Sequence, residues 1–137
     1  DLCQPLHITV HYDGRVGPDG KSPKTGIHLK VDALLHKIKV APDRICRGLE
    51  VEPPDELMPA VIRQAMASNA LVDAVYAMEK ELPAQGDLPE AGSPAARFAE
   101  ERLRECVRFT ASLCLAAWRD SEKLELPEWH LRREDAK

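Results

Sequence analysis

Two side chains four positions apart, His28 and Asp32, stand at the start of a regular apolar pattern early in this sequence. On a helix that spacing projects both from one face. A neutral imidazole and a carboxylate on adjacent turns can grip one zinc ion, with bonds of about 2 Å. Pairs of this kind also arise by chance in a chain with five His and 23 Asp and Glu, and His130 with Glu134 is a second example. Asp1 and His7 add weight. The run Asp1-Leu2-Cys3-Gln4-Pro5-Leu6-His7 sets a carboxylate, a chain-turning proline and an imidazole close together. Gln4, lying before a proline, is biased towards extended geometry. Asp1 is therefore expected at the end of a preceding helix, with His7 swung round beyond the turn. Asp1, His7, His28 and Asp32 are thus the candidate metal ligands. From the residues alone, they read as readily as a metal site as they do as ordinary polar side chains.

The other polar candidates have plainer readings. His11, four residues past His7, is expected as an exposed loop histidine or as a support for a ligand. His36, one turn beyond Asp32, either orients a ligand or serves local packing. Tyr12 and Arg15 are expected as solvated loop residues, with contact to a substrate as the alternative. Trp118 and Trp129 read as core and helix-end anchors rather than platforms for stacked bases. His130 and Glu134 fall in a charged tail.

DLCQPLH, followed after a Gly-rich loop by TGIHLKVD, resembles the bacterial zinc-dependent phospholipase C and single-strand nuclease superfamily (the S-one/P-one type). The resemblance covers about the first 32 residues, in both order and spacing. It implies that Asp1 is a carboxylate bridging zinc ions, with a catalytic role, and that His7, His28 and Asp32 are the ligands of one zinc. It also implies an intact cluster of three zinc ions, about half of whose ligands lie upstream of Asp1. The chain is accordingly expected to be the C-terminal part of a larger domain, holding at most about one fully ligated zinc and inactive alone. Asp rather than Glu at position 32 favours the nuclease branch. The implied activity is hydrolysis of nucleic-acid phosphodiester bonds by metal-activated water, with single-stranded nucleic acid or another phosphodiester as substrate. A phospholipase C-type hydrolase is one alternative. A truncated or degenerate homologue acting as a non-catalytic zinc-binding or structural module is the other. The resemblance further suggests a secreted or periplasmic protein; the residues themselves name no compartment.

Composition limits the classes. A net charge of −4 argues against coating nucleic acid by bulk charge, which relies on many Lys and Arg contacts to phosphate. It is compatible with phosphate held through metal ions, which carry the positive charge themselves. Four cysteines lie far apart with no C-x-x-C pair, against zinc-ribbon or thioredoxin-type chemistry. Cys106 and Cys114 read as small core residues of one helix. No apolar run approaches the roughly 18 residues of a membrane span.

The elements that must position these residues are helical. Aromatic content is only 4%, and cores of Ala, Leu, Val and Met suit packed helices better than a sheet. The expected fold is all-α, a single partial domain over 1–137, with an irregular metal-site loop over 1–26 holding at most a small hairpin. A helix is expected over 27–40, its apolar stripe made by Val31, Leu34, Leu35 and Ile38. A polar, Pro-containing stretch runs on to Pro54.

A long helix over 55–82 is expected to bury Met58, Val61, Ile62, Ala65, Val72, Val75 and Tyr76. A loop at 83–92 leads to a last helix over 93–123, started by Ser93-Pro94. Its inner face is expected to be Ala99, Leu103, Cys106, Thr110, Leu113, Ala117 and Trp118, with Glu100 and Arg104 pairing outside. Three helices of unequal length leave the 1–26 loop nothing to rest on, so it is expected to pack on preceding helices. The isolated chain is expected to be marginal and partly molten.

Overall fold

The computed structural model describes residues 1–84 and 87–125. Among these the protein is helical, with no strand or sheet. The order is a 3-10 turn at Pro5–Ile8, then α1 (Ile27–Lys37), α2 (Pro42–Cys46), α3 (Leu57–Asn69), α4 (Val72–Ala77), a second 3-10 turn at Glu79–Glu81, and α5 (Pro94–Ser121). In place of the small hairpin there is one isolated bridge between Tyr12 and Gly14. No helix among the described residues is long and apolar enough to cross a membrane.

The core lies where α1, α4 and the start of α5 meet. Leu6, Ile27, Val31, Leu34, Val72, Val75, Leu82, Ala95, Phe98 and Ala99 form one cluster, against which Leu35, Ile38 and Tyr76 pack. Full burial of each large aliphatic side chain stabilises by about 1.5–3 kcal/mol. The α1 stripe therefore falls where its periodicity placed it. The helix stops at Lys37, three residues short of expectation, and the polar stretch beyond holds the short helix α2, with Pro42 at its first turn.

The expected helix over 55–82 is broken. Ala70 and Leu71 separate α3 from α4, and Leu71 N donates to Ser68 O at 3.0 Å in a tightened last turn. The reason lies in Ser68 and Asn69, whose short polar side chains bind backbone elsewhere. Ser68 Oγ donates to Leu2 O at 2.5 Å, and Asn69 Nδ2 donates to Ile8 O at 2.9 Å. Residues of this type are poor in helix interiors and favour helix ends, so α3 closes where they stand.

These bonds also correct the expectation that the first loop lacks support, because it rests on α3 and α4. Met58 and Ile62, expected inside, are exposed, while Ala60, Gln64 and Ser68 are buried.

In α5, Ser93 caps the helix as expected, its Oγ accepting from Ala96 N at 3.1 Å. The buried face differs from the expected one. Phe98, Ala99, Phe109, Ser112 and Ala116 point inward, whereas Thr110, Ala117 and Cys114 are exposed and Trp118 is 81% exposed. A repeat averaging 3.5 residues drifts round a straight helix of 3.6 residues per turn. Moreover, α5 meets several partners along its length.

Arg44 of α2 forms a two-pronged pair with Glu100 at 2.8 and 2.6 Å. Arg104 donates to the carbonyls of Arg44, Ile45 and Arg47 at 2.9, 2.6 and 3.0 Å. Glu100 and Arg104 thus bind α2 and its C-terminal end instead of each other. Trp129, His130 and Glu134 lie outside the described residues.

Candidate metal centre

The centre is assembled from the first 3-10 turn and the first two turns of α1. Pro5 sits at the start of the 3-10 turn, where its missing N–H costs nothing. Gln4 in extended geometry caps it, with its Oε1 accepting from Leu6 N at 2.5 Å. Leu6 is fully buried in the core. That anchor turns His7 outward from the same short segment, towards α1.

On α1, Ile27, Val31 and Leu34 face the core, so His28 and Asp32 occupy the flank beside the turn. His7, His28 and Asp32 each bring one donor atom to within 4.8 Å of the others, a group able to hold a metal ion. His7 Nε2 lies 3.3 Å from Asp32 Oδ1, and His28 Nε2 lies 3.6 Å from Asp32 Oδ2. The two imidazole rings stand 5.0 Å apart between centroids. Donors bound tetrahedrally at 2.0–2.1 Å are separated by about 3.3 Å, so two imidazoles and a carboxylate at these distances fit zinc's ligand chemistry. The same donor set suits other divalent metals.

Three of the four sequence candidates therefore converge. The fourth, Asp1, is placed behind His7. Its carboxylate lies 3.1 Å from His7 Nδ1, the ring nitrogen other than the one facing Asp32, and its side chain is 94% exposed. A carboxylate there accepts the Nδ1 proton and leaves Nε2 with its lone pair towards the other donors.

Gln4 is a residue that sequence reasoning used only for its backbone. It is 3% exposed, and its Nε2 donates to Asp32 Oδ1 at 3.0 Å while its Oε1 caps the turn. One amide thus joins the carboxylate of α1 to the segment bearing His7. Its position next to Pro5, in the same run as Asp1 and His7, was the available signal.

The remaining candidates separate clearly. Tyr12 stands at the rim, its ring edge-on to His28 at 5.9 Å. With Asp1, Leu6, His7, Thr9 and His28 it lines an open hollow of about 440 Å³. Arg15 is paired with Asp73 and lies 4.2 Å over the Tyr76 ring, so it braces the loop. His11 is half-buried, and its Nδ1 accepts from Val16 N at 3.0 Å. His36 is exposed.

Cys3 lies inside the ligand run but turns its sulfur to α3, where Gln64 Nε2 donates to it at 3.5 Å. Burial, reinforced by the neighbouring Cys106 thiol, pushes Cys3 up to about 11, so it keeps its proton. All four cysteines are free.

No family model matches the chain, and neither a curated protein nor a solved structure matches it.

Proposed function

We propose that this chain carries one zinc site of a phosphodiester hydrolase of the nuclease type, acting on single-stranded nucleic acid. The observation that carries the reading is the convergence of His7, His28 and Asp32 on one flank, with Gln4 holding the carboxylate. A zinc ion held by His7, His28 and Asp32 would supply Lewis-acid chemistry towards a phosphoryl oxygen and a bound water.

The protein's own part is orientation. Asp1 holds the His7 proton at Nδ1, Gln4 fixes Asp32 Oδ1, and the core under Leu6 and Ile27 keeps the two segments in register. In the resemblance to the phospholipase C and nuclease superfamily, Asp1 has the further role of bridging zinc ions. Asp at position 32 supports the nuclease branch over the phospholipase branch.

Zinc titration of the folded chain tests the site. His28→Ala is expected to weaken binding by more than the roughly 10–100-fold that follows loss of a supporting hydrogen bond, while His130→Ala leaves it unchanged. Equal effects, or no binding by the parent chain, refute the assignment.

The intact protein is then expected to cleave a single-stranded oligonucleotide in preference to phosphatidylcholine. A second reading, a non-catalytic zinc-binding module, is favoured by the convergence of donors for only one ion among the described residues, where the resembled cluster holds three. Zinc binding with no cleavage of either substrate by the intact protein selects that reading.

A further inference from the structure

Helix α1 carries both His28 and Asp32, yet it begins on Gly26, which has φ +81° and no side chain with which to cap the helix. The first amides of a helix have no partner within it and need an acceptor from elsewhere. Asp13, thirteen residues upstream of that glycine, supplies it. Its Oδ1 accepts from Gly26 N at 2.7 Å and from His28 N at 3.4 Å. Its main-chain oxygen accepts from Thr25 N at 3.2 Å and from Ser22 Oγ at 2.7 Å. One residue therefore gathers four donors from the segment that leads into α1, and one of them is the amide of His28 itself.

Both neighbours of Asp13 are also fixed. Tyr12 lies edge-on to His28, and Gly14 N donates to the Tyr76 hydroxyl at 2.9 Å. That hydroxyl in turn donates to His11 O. Gly14 has φ +103°, and a side chain there would collide with Pro23, whose Cγ would lie 2.4 Å from the added Cβ. The Asp13-Gly14 step is thus clamped between α4 on one side and the start of α1 on the other.

We propose that Asp13 is a positioning residue for the metal centre: by holding the Gly26 and His28 amides it sets where α1 begins, and so where the His28 imidazole stands relative to His7. It contributes no donor atom to the group. Its effect is preorganisation, since a helix start that frays must be ordered again when the ligands close on an ion. The negative charge at the positive end of α1 adds a smaller electrostatic gain. This inference rests on the metal-site reading above for its consequence, while the clamp itself exists in the metal-free chain.

The test pairs zinc titration with amide hydrogen exchange on the metal-free chain, using Asp13→Ala, Asp13→Asn and Asp13→Glu. Asp13→Ala is expected to weaken zinc binding about tenfold and to speed exchange at Gly26 and His28. Asp13→Asn keeps an acceptor oxygen in place and is expected to restore both towards the parent. Asp13→Glu keeps the charge but displaces the acceptor by a methylene, and is expected to bind zinc more weakly than Asp13→Asn.

A cap that matters only for stability would lower the melting temperature of Asp13→Ala and leave its zinc affinity at the parent value, which overturns the proposal. So does the opposite order of Asp13→Asn and Asp13→Glu, a comparison that stands even where Asp13→Ala does not fold. Should the parent chain bind no zinc, the metal-site reading fails. Unchanged exchange at Gly26 and His28 in Asp13→Asn and Asp13→Glu alike then overturns the clamp separately.

Discussion

Helices α1 and α3 both present aliphatic residues at helical spacing, yet α1 buries large aliphatic side chains and α3 buries small or polar ones. In α1 the inward face is Ile27, Val31 and Leu34, as a hydrophobic stripe requires. In α3 the inward face is Ala60, Gln64 and Ser68, while Leu57, Met58, Ile62 and Met66 are all more than half exposed. The difference follows from what each helix packs against. The apolar face of α1 meets other apolar faces in the core cluster. α3 meets the first loop, whose backbone carbonyls and sulfur need donors, and Gln64, Ser68 and Asn69 provide them. Where packing takes a carbonyl partly out of water, as at Leu2 O, leaving it without a donor costs about 1–3 kcal/mol.

Substitutions can break this contrast or sharpen it. The largest effect is expected from Leu34→Ala on α1, a loss of about 2–5 kcal/mol in urea unfolding, because the cavity lies within the packed core. A loss below about 1 kcal/mol would show that α1 packs loosely, in keeping with a partly molten chain.

Ser68→Ala on α3 is expected to cost about 1–3 kcal/mol by leaving Leu2 O without its donor. A neutral result would mean that the polar inner face of α3 is incidental. Gln4→Leu is expected to lower zinc affinity by roughly 10–100-fold by freeing Asp32 Oδ1, measured against a chromophoric chelator.

Tyr76→Phe removes the hydroxyl that links Gly14 N to His11 O and is expected to cost about 1 kcal/mol or somewhat more. Burial raises the Tyr76 phenol above its ordinary value. Its contribution is therefore complete below the unfolded value near 10 and is lost as pH rises through the folded one. Alkaline unfolding of the parent and Tyr76→Phe chains should converge there. The smallest effect is expected from Met66→Lys, within about ±0.5 kcal/mol of the parent, since that side chain is 68% exposed. A loss as large as that of Ser68→Ala would reverse the comparison.

The regions that were legible share one property: their environment was uniform. The stripe on α1 and the Ser93-Pro94 start of α5 needed only local rules, periodicity and capping. The pairing of His28 with Asp32 followed from helix geometry, and the Gln4-Pro5 turn directed His7 towards them. The illegible regions had mixed surroundings. The break at Ala70 and Leu71 depends on Ser68 and Asn69 finding carbonyls some sixty residues away in sequence. The buried face of α5 is set by α1 and α2 over its first half and by other neighbours beyond it. Trp118, expected inside, lies on a face of the last turns that no described element covers.

The amino-acid sequence by itself determined the all-α class, the core face of α1, and which ligand-type residues stand at which spacing. Those properties come from backbone geometry and side-chain periodicity, which act over a few residues. Tertiary structure alone decided that three of the four candidates converge and that Asp1 lies at the far nitrogen of His7. It alone gave Gln4 and Asp13 their partners in α1. A hydrogen bond is specified by the distance and direction between two groups, and for groups many residues apart only the folded chain fixes either.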